Sequence, residues 1–400
     1  MPQRQQRKPA QRRPGTPRPK RAEGLEALAR NASLGPGYAR RRPGTDLGGQ
    51  GYGLGGFAGW SNRRKLRLAR TVGIAVAFIL LLWQCTGGDG EEEVDTAKTP
   101  ATTVPAPTTT IPPAAATMAT PVLTESKLPA VHSLAGGAAL GGRIVLAGGL
   151  NDKKNSTDVV WTFDPATGST DSPGKLAQPL HTAAVAPLGA TALMMGGGKG
   201  DSVFDTVISI DSAGAMAPVG TLPQPRTNAA AVATPDGTSV YLFGGYTGKD
   251  PTNEVLRTSD GVTFEPVANL LRPTRFPAVA LLGRSVWVIG GEYDKQLVPA
   301  VQRVDLDTGL VSDVALLPTG LSRASAFVLG NSIFVAGGRT PEGRSNQILR
   351  IDPITGAVTP AGTLPTELSD STAVVVGDTA YLFGGLNPTP TNQILAVTAT

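Results

Sequence analysis

The stretch Val240-Tyr-Leu-Phe-Gly-Gly245 decides the fold, because it is a short apolar run that ends in a glycine doublet. Six such runs occur, and their doublets lie 46 to 48 residues apart. A period of this length is typical of proteins in which each repeat is one unit that buries its apolar face against its neighbours. The doublets are Gly148-Gly149, Gly196-Gly197, Gly244-Gly245, Gly290-Gly291, Gly337-Gly338 and Gly384-Gly385.

The third repeat shows what one unit contains. Two apolar runs, 228–233 and 240–243, are separated by the turn Pro235-Asp236-Gly237, and after a loop two more runs follow at 254–257 and 262–265. None of them is long enough for a buried helix, and Gly, Pro or Asp stands at the breaks, so all four are predicted strands. Four antiparallel strands per unit, repeated six times, predict an all-β six-bladed propeller over residues 122–400.

The sixth repeat indicates how the ring closes. It has three predicted strands, at 371–376, 380–383 and 393–397, and no fourth. Residues 122–129 match the fourth-strand segments of other repeats, such as 359–365. We therefore expect residues 122–129 to supply the outer strand of the last blade, which removes an exposed sheet edge.

The repeat resembles that of the Kelch family, which has a basic residue before the first strand, a Gly-Gly after the second and an aromatic-Asp near the third. The supporting third-strand endings are Phe163-Asp164, Val304-Asp305 and Ile351-Asp352. The fourth-strand tryptophan of that family is replaced here by Ser169, Ala215, Leu310 or Ala357. The resemblance implies a Kelch-like propeller whose first strands are innermost and whose binding pocket lies on the face that carries the loops after the doublets.

Upstream of the propeller the composition changes three times. Residues 1–70 carry 17 Lys and Arg against three acidic residues, which predicts a disordered basic arm over residues 1–65. The 18 residues from Thr71 to Gly88 carry no charge, so residues 66–88 are predicted to be one transmembrane signal-anchor helix. Residues 89–121 begin acidic and become rich in Thr, Pro and Ala, which predicts an extended stalk.

The charges that flank this apolar stretch predict its orientation. Basic residues precede it and acidic residues follow it, so the positive-inside rule places the arm in the cytoplasm and the propeller outside. The expected location is therefore the cell membrane, single-pass, in a bacterium to judge from the Ala, Gly, Pro and Arg bias. A cleaved signal peptide and a lipid on Cys85 are the alternatives, but the long leader argues against the first and the Leu82-Trp83-Gln84 before the cysteine against the second.

The net charge of +5 is unevenly distributed along the chain, because residues 1–70 sum to +14 and residues 71–400 to −9. A basic protein suggests nucleic acid as a partner, but this charge lies in the arm beside the predicted membrane segment. Anionic lipid headgroups are therefore its expected partner. Nucleic-acid binding is not expected, since no recognition fold accompanies the arginines.

The propeller has few residues suited to catalysis. The single cysteine of the chain is Cys85, and the two histidines are His132 and His181. A cysteine nucleophile or a zinc-thiolate site is thus excluded from residues 122–400, and no cofactor is expected. The glycine-rich segment 196–201 does not fit the spacing of a phosphate-binding loop.

The candidate site is a ring of residues that open the first strands. The forked donors of its arginines suit carboxylate or phosphate, so an anionic ligand is expected. Two alternatives are that the arginines merely tie neighbouring blades to backbone carbonyls and that the histidines and aspartate hold a metal. The ring residues are His132, His181, Arg226, Arg275, Arg323 and Asp370, and the further ligand-binding candidates on the rim are Tyr246, Glu292, Tyr293 and Arg339, with Asn151, Asp152, Lys199 and Asn387 beside them.

Two function classes follow from these residues. The preferred one is a membrane-anchored extracytoplasmic interaction module that presents its propeller face to a protein or an acidic glycan. The alternative is a sugar-acid mutarotase or epimerase-like enzyme that resembles the periplasmic sialic-acid mutarotases, with Glu292, Asp370 or a histidine moving protons. Because a fold does not determine a function, the choice between the interaction module and the enzyme depends on the side chains at the mouth.

Overall fold

Six antiparallel sheets of four main strands make up the part of the chain that the computed structural model describes, residues 115–400. In five sheets the strands follow chain order, and the first strands of neighbouring sheets contact one another around a central axis. The sheets are therefore the blades of a six-bladed β-propeller, as the spacing of the glycine doublets predicts.

The strand bounds repeat from blade to blade. From blade one to blade six, the first strands are Gly136–Leu140, Ala184–Leu188, Ala230–Ala233, Ala278–Leu282, Ser325–Leu329 and Thr372–Val376. The second strands are Arg143–Ala147, Thr191–Met195, Val240–Phe243, Ser285–Ile289, Ser332–Ala336 and Thr379–Phe383. The third strands are Thr157–Asp164, Thr206–Asp211, Glu254–Thr258, Ala300–Asp305, Gln347–Ile351 and Thr389–Ala399. The fourth strands are Ser169–Leu180, Met216–Thr221, Glu265–Asn269, Val311–Leu316, Val358–Thr363 and, in blade six, Ala119–His132.

Short hairpins extend three of the loops that follow the doublets. They pair Gly198–Lys199 with Ser202–Val203, Glu292–Tyr293 with Gln296–Leu297, and Arg339–Thr340 with Gly343–Arg344. In blade six, Leu386–Asn387 pairs with the start of the third strand. The glycine-rich segment 196–201 thus leads into a β-hairpin, and no helix follows it.

The apolar core lies between the blades. The second strands are buried on both faces, as the run Ser285–Ile289 illustrates, whereas the fourth strands are mostly exposed or half-buried. One apolar cluster fills each of the six interfaces between neighbouring blades. Each blade therefore depends on both neighbours for the burial of its apolar side chains, as expected of a repeat that cannot form a core alone.

The glycine doublets join consecutive blades. In all six blades the N–H of the second glycine donates a hydrogen bond of 2.7 or 2.8 Å to a carbonyl oxygen at the point where the chain passes from the fourth strand towards the next blade, as from Gly291 to Leu321. Both glycines of every doublet have positive φ, and a Cβ on the first would collide with that same carbonyl. Glycine is required here by conformation and by the close approach of the segment that leads to the next blade.

The N-terminal strand completes the sixth blade. Ala119–His132 pairs antiparallel with Thr389–Ala399, with Leu123 opposite Leu395. Just before this strand, the carbonyl of Ala116 accepts hydrogen bonds from Ser332 Oγ and Arg350 Nε of blade five. The strand begins at Ala119, three residues before the predicted start of the propeller at residue 122.

The predicted fold class combined the propeller with one transmembrane helix, and the structure does not support the helix. Every strand and turn within residues 115–400 belongs to an all-β structure, and no helix in that part of the chain is long and apolar enough to cross a membrane. The predicted basic arm at 1–65, the predicted transmembrane helix at 66–88 and most of the predicted stalk at 89–121 lie outside the described residues.

One predicted strand is also displaced. The sequence predicts the fourth strand of blade three at 262–265, but the strand is Glu265–Asn269. The carboxylate of Asp260 accepts hydrogen bonds of 2.8 Å from the backbone N–H groups of Val262 and Thr263. This local hydrogen bonding holds those residues in the turn, because an Asp side chain competes with the sheet for backbone donors.

Candidate ligand-binding site at the propeller mouth

A closed ring of six backbone hydrogen bonds surrounds the mouth of the propeller. The residue two positions before each first strand donates its N–H to the carbonyl of its counterpart in the preceding blade, at 2.8 to 3.2 Å. All six residues have positive φ although none is glycine, a conformation that costs about 1 to 2 kcal/mol per residue. These mouth residues are Leu134, Thr182, Asn228, Phe276, Arg323 and Asp370.

The structure distributes the six residues of the predicted ring over three backbone positions. Arg323 and Asp370 are mouth residues. His181 and Arg275 each precede a mouth residue by one position, and both form an isolated bridge to the residue after a doublet. His132 and Arg226 precede a mouth residue by two positions and are buried. Because the backbone changes direction between these positions, the six side chains do not form one ring.

His132 and Arg226 belong to the interior of the protein. The imidazole of His132 contacts the carbonyl of Gly148 and packs edge-on against Trp161, with ring centroids 4.7 Å apart. Arg226 donates one 2.6 Å hydrogen bond to Glu254, and its Nε and a second terminal nitrogen are buried without a partner. Neither side chain reaches the surface at which a ligand would bind.

Both histidines are held neutral by burial. Desolvation lowers the pKa of His132 below the ordinary value of 6.5, although the Gly148 carbonyl opposes the shift. Burial likewise lowers the pKa of His181, whose Nδ1 lies 2.9 Å from Ser156 Oγ. Within residues 115–400, no group of three or more His, Cys, Asp or Glu side chains is placed to hold a metal ion. The predicted metal alternative therefore finds no support in this part of the chain.

A network of alternating charges crosses blades four, five and six. Glu292 pairs with Arg275 at 3.1 Å and accepts a 3.1 Å hydrogen bond from Arg323 Nε. The terminal nitrogen Nη1 of Arg323 donates a 3.0 Å hydrogen bond to Asp370. Asp370 also accepts from Ser369 Oγ at 2.6 Å, and that hydroxyl in turn accepts from Arg344 Nε at 3.2 Å. Arg275 and Arg323 thus contact the two carboxylates directly, and Arg344 joins through the Ser369 hydroxyl, so the network holds three guanidinium groups and two carboxylates.

Aromatic rings hold two of these arginines in place. The guanidinium carbon of Arg323 lies 3.5 Å from the centroid of Phe276. That of Arg275 lies 5.8 Å from Phe276 and 5.9 Å from Tyr246. Stacking on the face of a ring is favourable for a cation and fixes its orientation. The two guanidinium groups are therefore positioned before any ligand arrives.

The remaining rim candidates lie on the loops around the mouth. Tyr293, on the hairpin of blade four, is 44% exposed, and Arg339 is exposed on the hairpin of blade five. Asn151 accepts backbone hydrogen bonds from Lys153 and Asn155, so it shapes its own loop. The other rim positions are the exposed Asp152 and Lys199 and the half-buried Asn387.

A small cavity opens at the mouth, with a volume of about 160 Å³. Its walls are the six mouth residues and the residue after each of them, most of which are alanine. Arg323 and Asn228 both line this cavity, and the second terminal nitrogen of Arg323 and the side-chain amide of Asn228 have no hydrogen-bond partner among the described residues. The lining of the cavity is thus both polar and apolar, and it includes the carboxylate of Asp370.

No known protein-family model matches this chain, and a search of curated proteins finds no match either. The functional conclusion therefore rests on the fold and on the side chains at the mouth.

The residues predicted to bind a ligand did not include Asn228, Phe276 and Arg344. A signal for the first two is present in the sequence, because the mouth residue lies 14 positions before the first glycine of the doublet in five of the six blades. Blade three has two extra residues in its first turn, so Asn228 lies 16 positions before Gly244. Counting back from the doublets, rather than aligning charged residues, therefore identifies the mouth.

Proposed function

We propose that the propeller is an interaction module that binds an anionic group of its partner at the mouth of blades four to six. Its partner is a protein or an acidic glycan that carries carboxylates. The observation that supports this best is the network of Arg275, Glu292, Arg323, Asp370 and Arg344, which holds one more guanidinium than carboxylate. A carboxylate that joins this network balances its charge.

Arg275 is the side chain best placed for first contact. It is 35% exposed, whereas Arg323 is 18% exposed. Glu292 holds one edge of its guanidinium, and two aromatic rings lie beside it. Its other nitrogens have no hydrogen-bond partner among the described residues. A guanidinium fixed in this way loses little conformational entropy when it forms a forked pair with a carboxylate.

The same arginines also tie blades together, as the alternative interpretation of the ring predicts. Arg323 of blade five bonds Glu292 of blade four and Asp370 of blade six. These ties run to carboxylates, whereas the sequence-based alternative placed backbone carbonyls there. The two roles are compatible, because a structural pair on one edge leaves the other edge of a guanidinium for a ligand.

No observation favours the alternative of a sugar-acid mutarotase. Each candidate proton carrier already has partners in the described residues. Glu292 binds two guanidinium groups and Ser322 Oγ, and Asp370 binds Arg323 and Ser369. Both carboxylates are therefore engaged by the groups that connect the residues of the mouth.

The proposal is tested by titrating the full chain with poly-L-glutamate and with polygalacturonate. Arg275→Gln should weaken binding about tenfold, the loss expected for one charged hydrogen-bonded contact. The matched control is Arg284→Gln, which removes an arginine paired with Asp307 in the same blade but at the turn between its first two strands. Absence of saturable binding to both polymers, or equal weakening by both variants, would overturn the proposal.

We also propose that the repeats are Kelch-like. The doublets, the aspartates that end the third strands and the basic residues before several first strands support this assignment. The location at the cell membrane with the propeller outside, and the association of the basic arm with anionic lipid, depend on residues 1–114 and stay predictions. Digestion of intact cells with a protease tests the location, since only an exposed propeller is cleaved.

A further inference from the structure

We infer that a cleft between blades one and two is a second binding site, which takes a small amphipathic molecule with an apolar body and one anionic end. The cleft lies among the outer strands of the two blades and shares no lining residue with the mouth cavity. The two sites are therefore independent of each other. The residues that line the cleft are 175–178 of blade one and 206–208, 216–218 and 220 of blade two.

The cleft has the size of a small-molecule pocket. Its volume is about 500 Å³, and pockets for small ligands typically measure about 300 to 1,000 Å³. Eleven residues line it, whereas each side of a standard protein–protein interface takes about 20 to 30 residues. The dimensions of the cleft therefore favour a small molecule over the surface of a protein.

An irregularity in the fourth strand of blade one forms one wall of the cleft. Leu180 lies opposite Thr157 and Lys175 lies opposite Val159, so residues 176–179 face the single residue Asp158 of the third strand. Extra residues on one strand of a pair bend that strand away from its partner. The bulge includes most of the wall that blade one contributes.

A proline ring separates the two blades at the turn between the third and fourth strands of blade two. A Cβ on Gly214 of this turn would meet the ring of Pro173 in blade one. The equivalent glycines of blades four and five, Gly309 and Gly356, would instead meet a backbone carbonyl of the preceding blade. Blade one thus contacts this turn through a side chain rather than through its backbone, and the cleft lies further along the same two outer strands.

The part of the cleft that solvent reaches is mostly apolar. Leu176, Ile208 and Met216 belong to the apolar cluster that fills the interface between blades one and two. The wall of the cleft is therefore continuous with the core of the protein. An apolar group that enters the cleft removes both its own surface and this wall from water, which is favourable.

Lys175 is the one charged residue that lines the cleft. Its side chain is 75% exposed, and its ammonium group lies 3.7 Å from a carboxylate oxygen of Asp158. That distance is too long for a hydrogen bond, so the donors of the ammonium group have no partner within residues 115–400. An ammonium group beside an apolar wall attracts a ligand with an anionic end and repels one with a cationic end.

The test is a calorimetric titration of the full chain with decanoate and with decyltrimethylammonium, which carry similar aliphatic chains and opposite charges. Decanoate should bind saturably and more tightly than the cation. Ala217→Phe should abolish this binding, because it adds a large side chain to the wall of the cleft at an exposed position. The matched control is Thr359→Phe, at the equivalent exposed position before a proline in the fourth strand of blade five.

A second pair of variants tests the charge. Lys175→Gln should weaken the binding of decanoate by up to about fivefold, the upper limit for an exposed ion pair. Its control is Lys127→Gln, because Lys127 precedes the buried Leu128 in the fourth strand of blade six as Lys175 precedes the buried Leu176 in that of blade one. Equal binding of the two probes would overturn the preference for an anionic end.

Three other results would overturn the site itself. They are failure of both probes to bind, equal weakening by Ala217→Phe and Thr359→Phe, and binding of decanoate that Arg275→Gln weakens and Ala217→Phe does not. The third result would place the acid at the mouth. None of them changes the outcome of the titrations with poly-L-glutamate and polygalacturonate, which test the mouth separately.

Discussion

The backbone N–H of Leu134 in blade one donates a 3.0 Å hydrogen bond to the carbonyl of Asp370 in blade six. That bond closes the ring of mouth residues, and the hydrogen bonds from the doublets form a second ring that also includes every blade. Backbone groups alone make both rings. The shape of the mouth therefore depends little on the identity of its side chains, and the chemistry of those side chains can change without loss of the fold.

Alanine at the first glycine of a doublet should be much more destabilising than alanine at a turn glycine. A Cβ on Gly290 collides with the carbonyl of Leu321, whereas a Cβ on Gly283 meets nothing within 4 Å. Both glycines have nearly the same φ, +63° and +62°. We expect Gly283→Ala to lower the free energy of unfolding by about 1 to 2 kcal/mol and Gly290→Ala by more than about 3 kcal/mol.

Denaturant unfolding of the two variants measures this difference. Because the φ strain is common to both, the difference isolates the collision between blades. Equal losses of stability would show that conformation alone requires glycine in the doublets.

Asp370 should stabilise the protein more than an exposed aspartate in a similar pair. Its side chain is 1% exposed and pairs with Arg323, whereas the side chain of Asp307 is 59% exposed and pairs with Arg284. Removing one charge of a buried pair costs about 3 to 5 kcal/mol, and an exposed pair contributes about 0 to 1 kcal/mol. Asp370→Asn should therefore lower the melting temperature clearly, and Asp307→Asn should change it little.

A calorimetric scan of both variants decides the point. A melting temperature of Asp370→Asn within the range of the Asp307→Asn control would mean that Arg323 keeps sufficient partners in Glu292 and solvent.

Arg226 should be replaceable by leucine without loss of stability. Two of its guanidinium nitrogens are buried without a partner. Three other blades have a leucine at the same position, two residues before the mouth residue, namely Leu180, Leu321 and Leu368. Replacing a buried charge by an apolar side chain is often neutral or stabilising. We expect Arg226→Leu to keep or raise the free energy of unfolding.

Glu254→Gln provides the contrast, because it leaves the guanidinium of Arg226 buried without its carboxylate. It should cost about 3 kcal/mol, measured by the same denaturant titration. If Arg226→Leu is as destabilising as Glu254→Gln, the ion pair of Arg226 and Glu254 stabilises the fold as a unit.

The stability of the protein should fall as the pH drops below about 6.5. Burial lowers the pKa of His132 and His181, so below pH 6.5 the unfolded chain binds protons that the folded chain does not. The free energy of unfolding then decreases, by up to about 1.4 kcal/mol per pH unit and histidine. Asp236 and Asp352, with pKa values of about 2, contribute only at much lower pH.

Unfolding titrations between pH 7.5 and about 5 check the direction of this effect. His132→Leu should flatten the pH dependence, because leucine does not titrate and is tolerated at the same position in blades five and six. An unchanged slope in this variant would assign the effect to other groups.

The sequence predicts the blades because the backbone at each doublet requires glycine. Wherever the segment that leads to the next blade approaches the end of a second strand, only glycine fits, so the signal recurs with the period of the fold. The sixth blade is recognisable for a similar reason, since its missing strand leaves a gap in the pattern. The boundary of the fourth strand in blade three was less predictable, because the side chain of Asp260 determines it.

The candidate site was predictable only in part. Arg323 and Asp370 are at the mouth as expected, but His132 and Arg226 are buried two residues away from it. Charged residues mark several positions near the start of a first strand, and a shift of one residue reverses the direction of a side chain. The pairing of each arginine with a carboxylate, such as Arg275 with Glu292, depends on loops whose conformation no repeat pattern specifies.

The composite sixth blade also affects how the protein folds. The side chain of Asn392 bonds the carbonyl of Leu128 across 264 residues of chain, so the strand Ala119–His132 is synthesised long before its partner. Contacts of such separation slow folding. Five blades can pair their own strands as the chain emerges, whereas the strand Ala119–His132 stays unpaired until Thr389–Ala399 leaves the ribosome. Assembly of the ring is therefore completed only after synthesis has passed Ala399.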